Sequence, residues 1–192
     1  MPNILTKLSK KKRKRVKMVK IAVLGSTGML GNAVSKHFMN IGYEVITTYR
    51  NEKVSFGENR EYYDPSLSGV EMSFNCDYVI NCIGIIKPFV DNDKQKTIYL
   101  NSLFPRELAD YCEETNRKLI HITTDCVFSG EDGNYDEDSD HDCIDFYGKS
   151  KSLGEPENCM VIRTSIVGEE IHNNASLISW VKSRKGKDAN GY

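Results

Sequence analysis

No stretch of this 192-residue chain is apolar for the roughly 18 to 20 residues that a bilayer-spanning helix needs. The N-terminus has no continuous apolar segment of the kind that directs secretion. There is no C-x-x-C pair either: Cys76, Cys82, Cys112, Cys126, Cys143 and Cys159 are scattered, and the four histidines are dispersed. Zinc ligation, which wants closely spaced ligands, is therefore not expected, and the thiols are expected to be reduced in an intracellular protein. Acid is missing from the first twenty residues, which hold nine of the 26 Lys and Arg. The remainder carries 17 bases against 27 acids, about −10, so the formal net charge of −1 joins a basic arm to an acidic body. The arm, residues 1–17, reads as a disordered solvated extension, with nuclear import or a nucleic-acid tail as the alternatives. Nothing in the acidic body suggests a nucleic-acid surface, so the expectation is a cytoplasmic protein that binds neither membrane nor nucleic acid.

What is present is alternation. "MVKIAVLG" reads as a strand buried on both faces, and "STGMLGNAVSKHFMNIG" as a helix closed by Gly42. "YEVITTYR" and "CDYVINCIG" read as further strands, with "REYYD" a weaker strand between them. A helical stretch from about Asp93 to Asn116 is expected to be kinked or broken around Pro105 and leads into the strand "KLIHITTDCVF". The loop "SGEDGNYDEDSDHDC" is too rich in Gly and Asp for regular structure. Its acids do not have the spacing of an EF-hand, so it reads as solvated loop. A helix, the strand "CMVIRTSIVG" and the amphipathic "ASLISWVKSRKG" follow. Strands alternating with helices imply an α/β fold, a doubly wound parallel sheet of the Rossmann kind spanning 18–192, with ligands bound beyond the carboxyl ends of the strands.

The turn after the first strand, "GSTGMLG", places Gly25, Gly28 and Gly31 ahead of the first helix. Glycines there let the backbone approach a pyrophosphate while the helix N-terminus offers free N–H groups, so Gly25, Thr27, Gly28, Met29 and Leu30 are candidate cofactor contacts. The second strand ends in Arg50 rather than an acid. An acid would hold the adenosine ribose and reject a 2′-phosphate, so Arg50 favours NADPH, with NADH the alternative. Asp64, after the third strand, is placed to accept from the adenine amino group or to cap the next turn.

In "DFYGKSKSLGE", Tyr147 precedes Lys151 by four residues, one helical turn apart on one face. Solvated helices also carry that pair by chance. Thr124 and Asp125, however, end the strand before it, so a hydroxyl and a phenol can converge on one carbonyl oxygen. A phenol with pKa near 10 works poorly at neutral pH until an ammonium stabilises its phenolate, which is a task for Lys151.

Together "GSTGMLG", "VINCIG", "YLNSLFPRELAD", "ITTDCVFSG", "YGKSK" and "VIRTSIVG" make the chain resemble, from about Met18 to Gly168, the extended short-chain dehydrogenase/reductases. Within these it resembles the dTDP-4-dehydrorhamnose reductases (RmlD-like) and related nucleotide-sugar reductases. The resemblance implies Tyr147 as general acid for a sugar keto oxygen and Thr124 as hydrogen-bond donor to that oxygen. Lys151 would tune Tyr147 and hold the nicotinamide ribose. Cys82, Ile83 and Gly84 would line the cofactor, and Asn101 would support the lysine and a proton relay. The implied reaction passes hydride from NADPH to C4 of a nucleotide-linked 4-keto-6-deoxy sugar, with a homodimer as the implied assembly.

Two departures qualify this. Where the reductases usually have tyrosine after Thr-Asp, this chain has Cys126, as the related GDP-fucose synthases do. With His172, Cys126 would form the acid/base pair of an epimerase-reductase, and Asp125, Cys126 and His172 are the candidate substrate contacts. The chain also ends at Tyr192, where relatives continue into a smaller C-terminal substrate domain. The substrate half is expected to be largely missing, so the chain should bind NADPH yet turn over sugar slowly or not at all. The rival reading is a non-catalytic NADP-binding regulatory subunit, the role this fold takes in the beta subunit of methionine adenosyltransferase.

Overall fold

Six parallel strands in the order β3-β2-β1-β4-β5-β6 form the centre of the protein, seen in a computed structural model that describes residues 18–168, 171 and 176–186. The basic arm and His172 lie outside the described residues. β1 (Lys20–Leu24) is central and is buried from Ile21 onward. Its side chains alternate between two cores, as the two-residue period of a strand requires. Ala22 and Leu24 join Phe104, Leu108 and Cys112 on one face, while Ile21 and Val23 meet Val34 and Phe38 on the other.

The helices that supply those partners are α1 (Met29–Asn40) on one side and α4 (Phe104–Glu114) on the other. β2 (Glu44–Tyr49) and the short edge strand β3 (Arg60–Tyr62) lie to one side of β1. β4 (Tyr78–Asn81), β5 (Lys118–Thr123) and β6 (Met160–Arg163) lie to the other. The chain reverses direction across the sheet between β1 and β4, and a crevice opens there at the strands' carboxyl ends. Among the described residues no helix is long and apolar enough to cross a membrane.

The helical stretch after Asp93 is interrupted near Pro105, as expected, and the interruption takes the form of a π turn. α3 (Lys94–Ile98) passes into a π-helical turn, Tyr99–Leu103, before α4 begins. The π turn is centred on Asn101, four residues before Pro105. Pro105 has no N–H to give the Asn101 carbonyl and its ring crowds that group, so the disturbance falls on the turn before the proline.

The acidic loop lacks regular structure, as its composition predicts, but it is tied down. Asp142 accepts from Ser129 N at 2.6 Å and from Tyr135 Oη at 2.8 Å, and the Tyr135 ring stacks on Phe128 at 4.5 Å. Arg163 lies over Phe128 and makes a forked ion pair with Glu155, which joins the loop to the end of β6. Between loop and strand runs α5 (Phe146–Ser152), and α6 (Leu177–Ser183) follows β6.

Candidate active site

The β1–α1 turn is built by close contact. Gly25 has φ +75°, and its N–H donates to Thr48 Oγ1 at 3.1 Å. A Cβ on Gly31 would lie 2.3 Å from Gly25 O, so the third glycine lets the helix sit against the turn. Gly28 differs, because a Cβ there would meet only Gly25 O, at 3.4 Å. The protein itself does not need that position bare, whereas a phosphate drawn up to the backbone would. No side chain caps the first turn of α1, which leaves its leading N–H groups for a ligand.

Two cavities open from this turn. One of about 520 Å³ is lined by Gly25, Thr27, Gly28, Arg50, Tyr63 and Lys96, among others. The other, about 510 Å³, is lined by Met29, Leu30, Thr124, Cys126, Tyr147 and Lys151, among others. Gly28 and the segment Cys82–Ile86 line both, so the two are halves of one cleft divided by the turn after β4.

That turn is clamped by two buried asparagines. Asn81 Oδ1 accepts from Ile83 N at 3.0 Å, and Asn81 Nδ2 lies 3.1 Å from Nδ1 of fully buried His121. This pairing makes Nδ1 the acceptor and places the imidazole proton on Nε2. Burial, with Lys151 nearby, pulls the His121 pKa from 6.5 to about 3 and keeps the ring neutral. Asn101, from the π turn, accepts from Ile85 N at 2.8 Å and donates to Ile85 O at 2.9 Å and Ser150 Oγ at 3.1 Å. It thus joins the cleft turn to α5. Asn101 is wholly buried and lines neither cavity, so its position is that of a brace and not of a direct cofactor contact.

α5 carries the acid/base candidates. Asp145 caps it, accepting from Gly148 N at 2.9 Å, and also pairs with Lys87 at 3.2 Å. Glycine lets α5 press onto its neighbours at both ends. A Cβ on Gly148 would lie 2.3 Å from Cys126 O, and one on Gly154 would lie 1.8 Å from Asn101 O. The result brings the Tyr147 phenol into hydrogen-bonding reach of Thr124. Burial raises the phenol's pKa, the Thr124 hydrogen bond opposes the rise, and Cys126, Asp125 and Asp145 add to it. Lys151 is buried under the turn after β4, where a Cβ on Gly84 would come within 3.4 Å of its Nζ. Burial brings its pKa down to about 8, against upward pulls from Glu155 and Cys82. The Cys82 thiol is pushed up to about 12 by the same burial, with Lys151 acting the other way.

The remaining candidates fall in different places. Asp64 caps α2 (Pro65–Ser68), accepting from Ser66 N at 3.0 Å, while its neighbours Tyr63 and Pro65 line the cavity. Of its two sequence readings, the structure displays the cap. Asp125 is exposed and accepts from the Ser165 hydroxyl. Cys126 is half-buried and lines the second cavity beside Tyr147. Lys96, Asn81 and His121 were not singled out from sequence. A polar Asn closing the buried run "VIN" was the available signal for the second of these.

The sheet order, the bare glycine turn and a Thr–Tyr–Lys group at one cleft define a doubly wound α/β domain of the short-chain dehydrogenase/reductase type. The chain belongs to the family described as RmlD substrate binding domain, whose model matches residues 19–188. It is 28% identical over 176 residues to a probable low-salt glycan biosynthesis reductase, Agl14, of Haloferax volcanii, covering 84% of this chain and 59% of that protein. Methionine adenosyltransferase 2 subunit beta of Danio rerio is 27% identical over 181 residues, covering 88% of this chain and 55% of that one. Among solved structures, a hypothetical dTDP-4-dehydrorhamnose reductase from Sulfolobus tokodaii superposes with a TM-score of 0.72 at 27% identity, covering 88% of this chain and 63% of its own. The chain therefore spans somewhat over half the length of these relatives.

Proposed function

We propose that this chain is the cofactor-binding portion of an NADPH-dependent reductase acting on a nucleotide-linked 4-keto-6-deoxy sugar. The observation that carries this reading is that Thr124, Tyr147 and Lys151 line the same cleft as the bare glycine turn. Gly25, Thr27, Gly28, Met29 and Leu30 would hold the diphosphate, Arg50 the adenosine end, and Cys82, Ile83 and Gly84 the middle of the dinucleotide. Bound there, the dihydronicotinamide supplies the hydride that reduces C4. Thr124 orients the keto oxygen by a hydrogen bond, and Tyr147 gives it the phenolic proton. Lys151, charged below about pH 8, stabilises the phenolate left behind until solvent reprotonates it.

Likeness to the reductases of Haloferax volcanii and Sulfolobus tokodaii supports this reading. The methionine adenosyltransferase likeness favours a second one, an NADP-binding regulatory subunit. Cys126 beside Tyr147 favours a variant of the first, in which the sugar is epimerised before reduction. The test is NADPH binding and oxidation by the purified chain against dTDP-, UDP- and GDP-linked 4-keto-6-deoxy sugars, with Tyr147→Phe as control. Turnover that falls by about 10² or more in the Phe variant while NADPH still binds supports the reductase. NADPH binding with no sugar reduced is the result expected both of a cofactor-binding portion without its substrate domain and of a regulatory subunit, and no NADPH binding overturns both readings.

A further inference from the structure

Nε2 of His121 and Oγ1 of Thr123 are buried and have no hydrogen-bond partner among the described residues. Both side chains are enclosed, His121 at 0% and Thr123 at 3% exposure. They stand two residues apart on β5 and so share one face, the face on which Leu119 joins Phe104 and Leu108 in the core. Buried polar groups left unmatched are costly, and two on one face call for a common partner. Asn81 decides what His121 can offer. It donates to Nδ1, so Nε2 carries the proton and acts only as a donor. On the same side of the sheet the π turn leads into α4, and α5 is fastened to that turn where Ser102 Oγ donates to Ser150 O at 2.7 Å. The next residue of α5 is Lys151, buried at 4% exposure and close enough for its charge to help keep the His121 ring neutral. An ammonium only donates, so Lys151 and His121 cannot pair directly. Nearby acceptors are committed: Glu155 forks with Arg163 at 3.0 and 2.9 Å, and Asn101 Oδ1 accepts from Ile85 N. The Cys82 thiol, pushed up to about 12, stays protonated. The Thr123 hydroxyl, which borders the second cavity with Lys151, can both accept and donate.

We propose that His121 and Thr123 are positioning residues for Lys151, holding one internal water that accepts from His121 Nε2–H and Lys151 Nζ and donates to Thr123 Oγ1; its use in catalysis rests on the reductase reading above. About three partners is usual for a buried water, and these three are otherwise unmatched. Water suits the place better than an anion, which would cancel the positive charge that the Tyr147 phenolate needs. It returns to Lys151 part of the solvation that burial removes and so favours the charged form. With one N–H held from beneath, the ammonium presents the others to the cleft, where Tyr147 and the cofactor lie.

The test uses the whole chain without cofactor or sugar. In water-selective NOE spectra of the chain with isotope-labelled histidine, the His121 Nε2–H proton should show a cross-peak to water with the sign of a long-held molecule. Thr123→Val, which replaces the hydroxyl by a methyl group, should remove that cross-peak, and Thr123→Ser should keep it. With isotope-labelled lysine, and Lys151 assigned through Lys151→Arg, the titration midpoint of Lys151 should fall by about one pH unit in Thr123→Val, the size of one net hydrogen bond. Thr123→Ser should restore it. A role in packing alone would give the opposite order, because valine keeps the bulk that serine loses. Absence of the cross-peak in the unaltered chain, or an unmoved Lys151 midpoint in Thr123→Val, overturns the inference. Neither readout involves NADPH or sugar, so the water site stands or falls separately from the reductase reading.

Discussion

Replacing Asn101 by alanine should loosen the cleft and destabilise the whole domain. The amide is fully buried and makes three hydrogen bonds, at 2.8 Å to Ile85 N, 2.9 Å to Ile85 O and 3.1 Å to Ser150 Oγ. Alanine deletes all three and leaves the Ile85 N–H and carbonyl facing the space the amide vacates. Each unmatched buried group costs about 1–3 kcal/mol, so the loss should be about 2–5 kcal/mol. For a domain of this size, about 2–4 °C per kcal/mol turns that into a fall in Tm of about 4–20 °C. Asn101→Asp should fall in between: it keeps an acceptor for Ile85 N but sets its second oxygen against the Ile85 carbonyl. It also asks for the Ser150 hydroxyl, which already donates to Tyr147 O at 2.8 Å. Thermal unfolding followed by circular dichroism gives the stability, and an NADPH fluorescence titration reads the turn, with at least tenfold weaker binding expected for alanine. A Tm within about 2 °C of the unaltered protein, with binding intact, would refute the reasoning.

Gly154→Ala should be at least as damaging, although it adds only a methyl group. Its Cβ would lie 1.8 Å from Asn101 O, and overpacking against backbone costs about 1–3 kcal/mol or more; an unchanged urea midpoint would contradict this. His121 should shape the acid limb of stability. Its pKa is about 3 in the fold against 6.5 for the free side chain, so between these values the unfolded chain binds more protons. Stability present above pH 6.5 is lost as pH falls towards 3, by on the order of 3 kcal/mol at pH 4. His121→Gln should flatten that part of the curve, and parallel curves for the two proteins would sink the assignment.

The alternation of strands, the glycine turn and the Tyr147–Lys151 pair were legible because each is local: a period, a spacing, a residue type with one backbone use. What escaped was set by long-range contacts. The interruption of the long helix was expected around Pro105 and falls on the turn just before it, but its form as a π turn was not legible. The π turn falls where Asn101 is drawn to Ile85, sixteen residues away, and no local pattern encodes that. Asn81 and His121 are forty residues apart and become partners only when β4 and β5 pair. Lys96 looks like any surface lysine until the fold sets it on the wall of a cavity that Arg50 also lines. Asp64 was read both as an adenine contact and as a cap, and the local hydrogen bond to Ser66 N is the one formed.

The two asparagines that hold the turn after β4 bear on the entropy of binding. A loop that must be ordered by its ligand takes about 0.5–1.5 kcal/mol per immobilised side chain out of the affinity. Here Ile83 and Ile85 are fixed through their backbones by groups wholly inside the protein, before anything enters the cleft. The ordering is completed during folding, so the same hydrogen bonds that set the melting point also set how little freedom a ligand has left to remove.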